Sequence, residues 1–169
     1  MSPLALIQGG CLVAFVLLLL AAGWQDLRTM RIANAISLAI AGTFAVWALA
    51  GLAGGKISAG EVALALLCGG GLFAVGAFAF AVGVLGGGDV KLMAAAGLFA
   101  GTDHVLDFLT ITALSGGLLG IAILAGAPVG PAISTGGAGS LRARLRGGLP
   151  YGPAIAVGGV WVAACLGCS

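Results

Sequence analysis

Charge is what this chain has least of. Seven Lys and Arg and five Asp and Glu make up 7% of 169 residues, with a single His and a single Tyr. A soluble globular chain carries about 25% charged residues, so there is too little polar surface here to clothe a water-soluble globule. That excludes an ordinary cytosolic enzyme, a disordered chain and a nucleic-acid-binding domain. Cys11, Cys68, Cys165 and Cys168 lie in apolar stretches away from any His/Cys cluster. Cys165-x-x-Cys168 is half of a zinc spacing without a second half. No metal and no cofactor is expected. What is abundant is apolar: 61% of the residues are hydrophobic and the mean hydropathy is +1.22. Glycine is also abundant, at 32 residues without a Gly-X-Y period, which excludes collagen. Small residues suit membrane helices because they let backbones approach closely.

A spanning helix needs about 20 mostly apolar residues. Six segments are expected in a single domain, 1–169, at about 3–24, 32–52, 61–85, 90–101, 105–125 and 151–166. The fold class is therefore all-α, a polytopic membrane protein with six transmembrane helices. No Lys or Arg precedes the first apolar run and the run is long, so it reads as a helix rather than a cleaved signal peptide. The fourth segment covers only about 18 Å and borrows residues or thins the bilayer. Thr102-Asp103-His104 punctuates before the fifth, and a Pro/Gly/Ser-rich loop over 128–148 precedes the sixth.

Lys and Arg are enriched in cytoplasmic loops. With the N-terminus outside, the cytoplasmic side holds Arg28, Arg31, Lys91, Arg142, Arg144 and Arg146, and the external loops hold only Lys56. Merging the fourth and fifth segments would put the three loop arginines outside. In the six-helix topology Asp26 and Asp89 sit at the cytoplasmic boundary, while Glu61, Asp103 and Asp107 sit at the outer one as solvated helix ends. His104 is also outer, away from both aspartates, which argues against a Ser–His protease.

Ionisable groups at membrane depth are expensive and tend to be functional. Two carboxylates at one level form an acid/base dyad when they meet, because like charges held close cannot both ionise cheaply. Gly86-Gly87-Gly88 before Asp89 lets backbone pass close to another segment and permits positive φ. The same residues also read as a hinge followed by a helix-capping Asp. Spacing alone leaves both readings open. Lys91 reads either as a neighbour tuning Asp89 or as a snorkelling side chain. Asn34 reads as a partner near Asp26 or a cap of the second helix, and Tyr151 as a border of the site or an interface anchor.

Gly86-Gly87-Gly88-Asp89 matches the GxGD signature of membrane aspartyl proteases, with Gly86 and Gly88 at its fixed glycines. Val90-Lys91-Leu92-Met93-Ala94 resembles one branch of them, the type IV prepilin peptidases. The segment from Asp26 to Asn34 resembles the other half of that signature, with Ala33 where the family usually has Pro. Leu149-Pro150-Tyr151-Gly152-Pro153-Ala154-Ile155 resembles the family's Pro-Tyr-Gly start of the last helix. The small size and short first loop look most like the Flp (Tad) pilus branch.

This resemblance implies a GxGD-type bundle in the bacterial inner membrane, with Asp26 and Asp89 as catalytic aspartates. Gly86, Gly88, Lys91, Asn34 and Tyr151 would support the site or bind substrate. It implies an aspartic-type endopeptidase that removes a short basic leader from a prepilin after a Gly. The paired Cys motifs of the bifunctional members are absent from the short first loop, so the resemblance extends to peptidase activity and not to N-methylation. Membrane lipid is an expected partner, with Arg142, Arg144 and Arg146 against its anionic headgroups; nucleic acid is not. The oligomeric state is unspecified. Other readings are a small ion- or proton-coupled transporter, a non-catalytic scaffold of a pilus machine, and a lipoprotein-precursor peptidase acting from the outer face.

Overall fold

The computed structural model describes residues 3–125 and 150–168, so Arg142, Arg144 and Arg146 lie outside the described residues. Every secondary-structure element among the described residues is an α-helix. In hydrocarbon each backbone N–H and C=O needs an internal partner, and a helix provides it within one segment. The elements are α1 (Pro3–Thr29), α2 (Asn34–Ala53), α3 (Ala59–Ala81), α4 (Gly87–Leu124) and α5 (Gly152–Cys168). Four of them, α1 to α4, are long and apolar enough to cross a membrane; α5 is apolar but has only 17 residues.

Helix α4 is 38 residues long and is broken once, at Gly101 (φ 55°, ψ −161°), a conformation that essentially only glycine adopts. The Cys68 thiol donates to the Gly101 carbonyl at 3.2 Å. The contacts on either side show that the chain reverses there. Before the break, Val90 packs on Gly76 and Leu98 on Gly69, so residues 87–100 run antiparallel to α3. After it, Phe108 and Thr112 meet Gly158, and Gly116 meets Tyr151 and Ala154, so residues 102–124 run antiparallel to α5. The break falls at Gly101 rather than at the polar Thr102-Asp103-His104, which is helical. Polarity marks where a chain tolerates water, whereas a reversal needs the backbone angle.

Two other boundaries differ from those read off hydropathy. Helix α1 continues through Gln25-Asp26-Leu27-Arg28 to Thr29, because nothing in that polar stretch opposes helix and the Met30 amide still bonds the Asp26 carbonyl at 2.8 Å. Helix α3 stops at Ala81, short of residue 85.

The core is built on close approach. Phe15 of α1 stacks on Phe99 of α4 with ring centroids 4.1 Å apart, and Phe44 of α2 meets Phe99 edge-on at 5.4 Å. Gly23 of α1 lies against Pro153 and Ala156 of α5, and Gly159 of α5 against Leu19 and Phe15. Helix α1 therefore packs antiparallel to α5. Gln8 lies beside Gly51, and Gln25 reaches Ala33, so α1 is antiparallel to α2 as well. The end of α1 and the starts of α2, α4 and α5 consequently converge at one end of the bundle.

Candidate active site

Asp26 occupies the last turn of α1 and is 5% exposed. Its Oδ2 accepts the Gly152 N–H at 2.8 Å, from the first residue of α5, 126 positions away in sequence. The unpaired N–H groups at a helix N-terminus favour a negative charge. Gly152 has no room for a side chain: a Cβ there would lie 2.7 Å from Asp26 Cβ and 2.9 Å from its Oδ2. The end of α1 is held from the other side too. Met30 adopts left-handed φ (53°) and closes the helix. Thr29 Oγ1 donates to the Gln25 carbonyl at 2.9 Å, and Gln25 Oε1 accepts the Ala33 N–H at 3.2 Å.

That last bond accounts for Ala33. Its φ of −66° is what a proline ring would impose. A proline would remove the N–H that Gln25 uses, so alanine keeps both the angle and the hydrogen bond.

Asp89 is the third residue of α4 and is 7% exposed. Its carboxylate accepts the Gly86 N–H, while its Oδ1 is buried without a hydrogen-bond partner among the described residues. Buried polar atoms are nearly always paired, so this oxygen keeps bonding capacity that the described residues do not use. The glycines before it act by close approach. Gly86 is extended at φ −75° and Gly87 and Gly88 begin the helix; positive φ occurs instead at Gly55, Gly83 and Gly101. A Cβ on Gly88 would lie 3.1 Å from Ile32 Cβ, so the first turn of α4 rests on the α1–α2 connection.

Asp26 and Asp89 thus line one cavity of about 290 Å³, with Met30, Arg31, Ile32 and Gly86-Gly87-Gly88. Two buried acids, each beside a helix N-terminus, share a space large enough for water and an extended backbone. The arrangement suits general acid–base chemistry on a polar bond presented at the end of the bundle.

The remaining residues singled out from sequence divide. Gly86 and Gly88 line the cavity. Lys91 and Asn34 do not: Lys91 Nζ donates to Asn34 Oδ1 at 2.8 Å, and both border a neighbouring groove. Asn34 is the first residue of α2, whose cap, Ala33, has no side-chain hydrogen bond. Tyr151 precedes α5, is half-buried and packs against Gly116. Three contributions were not assigned from sequence. Arg31 and Met30 were visible only as boundary residues. Gly152 stood in a recognised motif, but its bond to Asp26 joins opposite ends of the chain.

Fold and site together define a class: a multi-pass, all-α membrane protein whose buried acids converge at one end of the bundle. Within that class the chain belongs to the type IV leader peptidase family, whose model matches residues 13–121. It is therefore a peptidase at the family level. The match includes Asp26, Asp89 and the whole cavity lining, and ends before α5, so Gly152 and Tyr151 lie beyond it. Comparison with curated proteins and with solved structures gives no match.

Proposed function

We propose that the protein is an aspartic-type endopeptidase of the bacterial inner membrane that cleaves the short basic leader from Flp-like type IV prepilins. The observation that carries this reading is the shared cavity of Asp26 and Asp89, two buried carboxylates brought together from α1 and α4. Together they hold one proton. The ionised carboxylate takes a proton from water, whose oxygen adds to the scissile carbonyl carbon. The protonated carboxylate hydrogen-bonds the carbonyl oxygen. When the tetrahedral intermediate collapses, the C–N bond breaks and the leaving nitrogen takes a proton from the pair. The products are a carboxylic acid and an amine, which exchange a proton in water to become carboxylate and ammonium, and the dyad returns to its starting state. The chain's glycines at 86–88 leave space for an extended substrate backbone beside the pair.

Orientation follows from charge. Arg28, Arg31 and Lys91 belong to the same end of the bundle as the cavity, and Lys56 to the other. Arg28 lies over the Trp24 ring at 4.6 Å, a pairing suited to the membrane boundary. The positive-inside tendency supports a reading with the cavity on the cytoplasmic side, the N-terminus outside and six spans. A leader followed by an apolar helix presents its junction at that level, and the cut after Gly falls there.

The test is the intact mass of a Flp-type prepilin incubated with the purified protein in lipid, beside the Asp26→Asn and Asp89→Asn forms. Loss of the leader mass with the unaltered protein alone is expected. Near-normal turnover by either variant overturns the dyad.

A further inference from the structure

Beside the carboxylate cavity lies a second, more apolar space. Helices α2 and α3 barely touch one another, and residues 91–98 of α4 form the floor between them. The resulting groove has a volume of about 480 Å³. Its walls are Leu38 and Ala41 of α2 and Gly69 and Phe73 of α3, with Ala94 and Leu98 in the floor. Leu38 is 75% exposed and Phe73 47%. Small residues in the floor and wall allow another helix backbone to come close.

One end of the groove is polar, and it is the end next to the dyad. Asn34, Ser37 and Lys91 line it; Lys91 is one turn into the helix that carries Asp89, and Asn34 follows the Ile32 on which Gly88 rests. Ser37 is 7% exposed and its Oγ has no hydrogen-bond partner among the described residues. Two other hydroxyls near this end of the bundle or on the same helix bond back along their own helix, whereas Thr112 Oγ1, packed on Gly158 away from the groove, is like Ser37 without a partner among the described residues. Thr43 Oγ1 donates to the Ala39 carbonyl at 2.8 Å and Thr29 Oγ1 to Gln25. Ser37 does not, although the same option exists one turn before it. A buried hydroxyl left unpaired in an apolar wall is costly unless a partner arrives. Two other apolar clefts, between α1 and α2 and between α4 and α5, do not reach either aspartate or its neighbouring residues on α4.

We infer that this groove seats the apolar helix of the substrate, immediately C-terminal to the scissile bond. The inference rests on the peptidase reading above and adds where the substrate is held. The helix starts at the polar end, where the exposed N–H groups of its first turn find the Ser37 hydroxyl as acceptor. It then runs parallel to the first limb of α4. From Lys91 to Leu98 the floor is about 10 Å long, enough for two turns of the occupant. The junction before the helix is thereby left extended at Asp26 and Asp89. Affinity then comes from packing along the groove, and the place of the cut from the offset between Ser37 and the dyad.

Photo-crosslinking in phosphatidylethanolamine–phosphatidylglycerol vesicles tests this. Benzoylphenylalanine replaces Leu38 or Phe73, and at a control site Leu118, which is exposed on the second limb of α4. Each is combined with Asp89→Asn, and the probe is a Flp-type prepilin bearing leader and helix. Adducts to the prepilin helix are expected from positions 38 and 73 at about ten times the yield from 118, and Ala41→Phe should remove them. Equal yields at all three positions, lipid adducts alone at 38 and 73, or adducts that survive Ala41→Phe overturn the groove. Cleavage by the unaltered protein is measured alongside. Cleavage without groove adducts removes the docking inference alone. Groove adducts without cleavage keep the docking and remove the peptidase reading.

Discussion

The carboxylates at the two ends of the bundle obey different physics. At the far end Glu61 is exposed and closes a capping box with Ser58: its Oε2 accepts the Ser58 N–H at 2.6 Å while Ser58 Oγ accepts the Glu61 N–H at 3.2 Å. Asp103 and Asp107, on the second limb of α4, are exposed as well. These groups are solvated or satisfied within their own turn. Asp26 and Asp89 are buried, and their surroundings come from distant segments: α5 for Asp26, the α1–α2 connection for the turn that carries Asp89. One Asp89 oxygen has no partner among the described residues. The same functional group is a helix cap where bulk water reaches it and, in the proposed reading, an acid–base group where packing leaves bonding capacity unused.

The sharpest way to break this contrast is to neutralise carboxylates at both ends. Asp26→Asn and Asp89→Asn should lower cleavage by at least about a thousandfold, within the range for removing a positioned acid or base. Glu61→Gln should leave turnover within about twofold, since it removes a cap and no reacting group. Comparable losses at both ends, measured by leader release, would erase the distinction.

Gly152→Ala sharpens it. The new Cβ has to push Asp26 aside. A displacement of about 1 Å costs on the order of a hundredfold in rate, so kcat should fall by tens to a hundredfold while KM changes little. Unchanged kcat would mean that the α5 amide does not position Asp26.

Gly101→Ala acts at the reversal of α4, away from the dyad. Holding a non-glycine residue at that backbone angle costs about 1–3 kcal/mol. Thermal unfolding in detergent should show the loss, while folded protein keeps its activity. Full stability would place the reversal elsewhere.

The smallest expected effect is Met30→Gly. It relieves a left-handed non-glycine residue, with a gain near 1 kcal/mol at most after the added chain entropy. The same unfolding assay reads it, and destabilisation would show that Met30 packing outweighs its strain.

Much of the architecture is legible from sequence because hydropathy and charge are local properties. Apolar runs located each helical segment, including the two limbs of α4, and Lys and Arg marked one end. Helix ends were less legible. Gln25 to Thr29 is polar yet helix-compatible, so hydropathy ended α1 before Asp26 where backbone hydrogen bonding does not. The fourth segment was expected to end at Gly101, but that this glycine takes positive φ, as Gly55 and Gly83 do among the 32, is visible only in the structure. The triple glycine was recognisable as a motif, but its use for close packing on Ile32 rather than for positive φ depends on a neighbour from the α1–α2 connection. Likewise Lys91 and Asn34, read separately, turn out to be each other's partners across α4 and α2.

By itself the sequence determined that this is a helical membrane protein with an uneven distribution of charge and two acids near one boundary. The reason is that transfer of side chains between water and lipid depends on residue type and run length. Only the tertiary structure decided that Asp26 and Asp89 face one cavity, that Gly152 donates to Asp26, and that α2 and α3 part to leave a groove beside them. Those are distances between segments far apart in the chain, set by where glycine and alanine let helices approach.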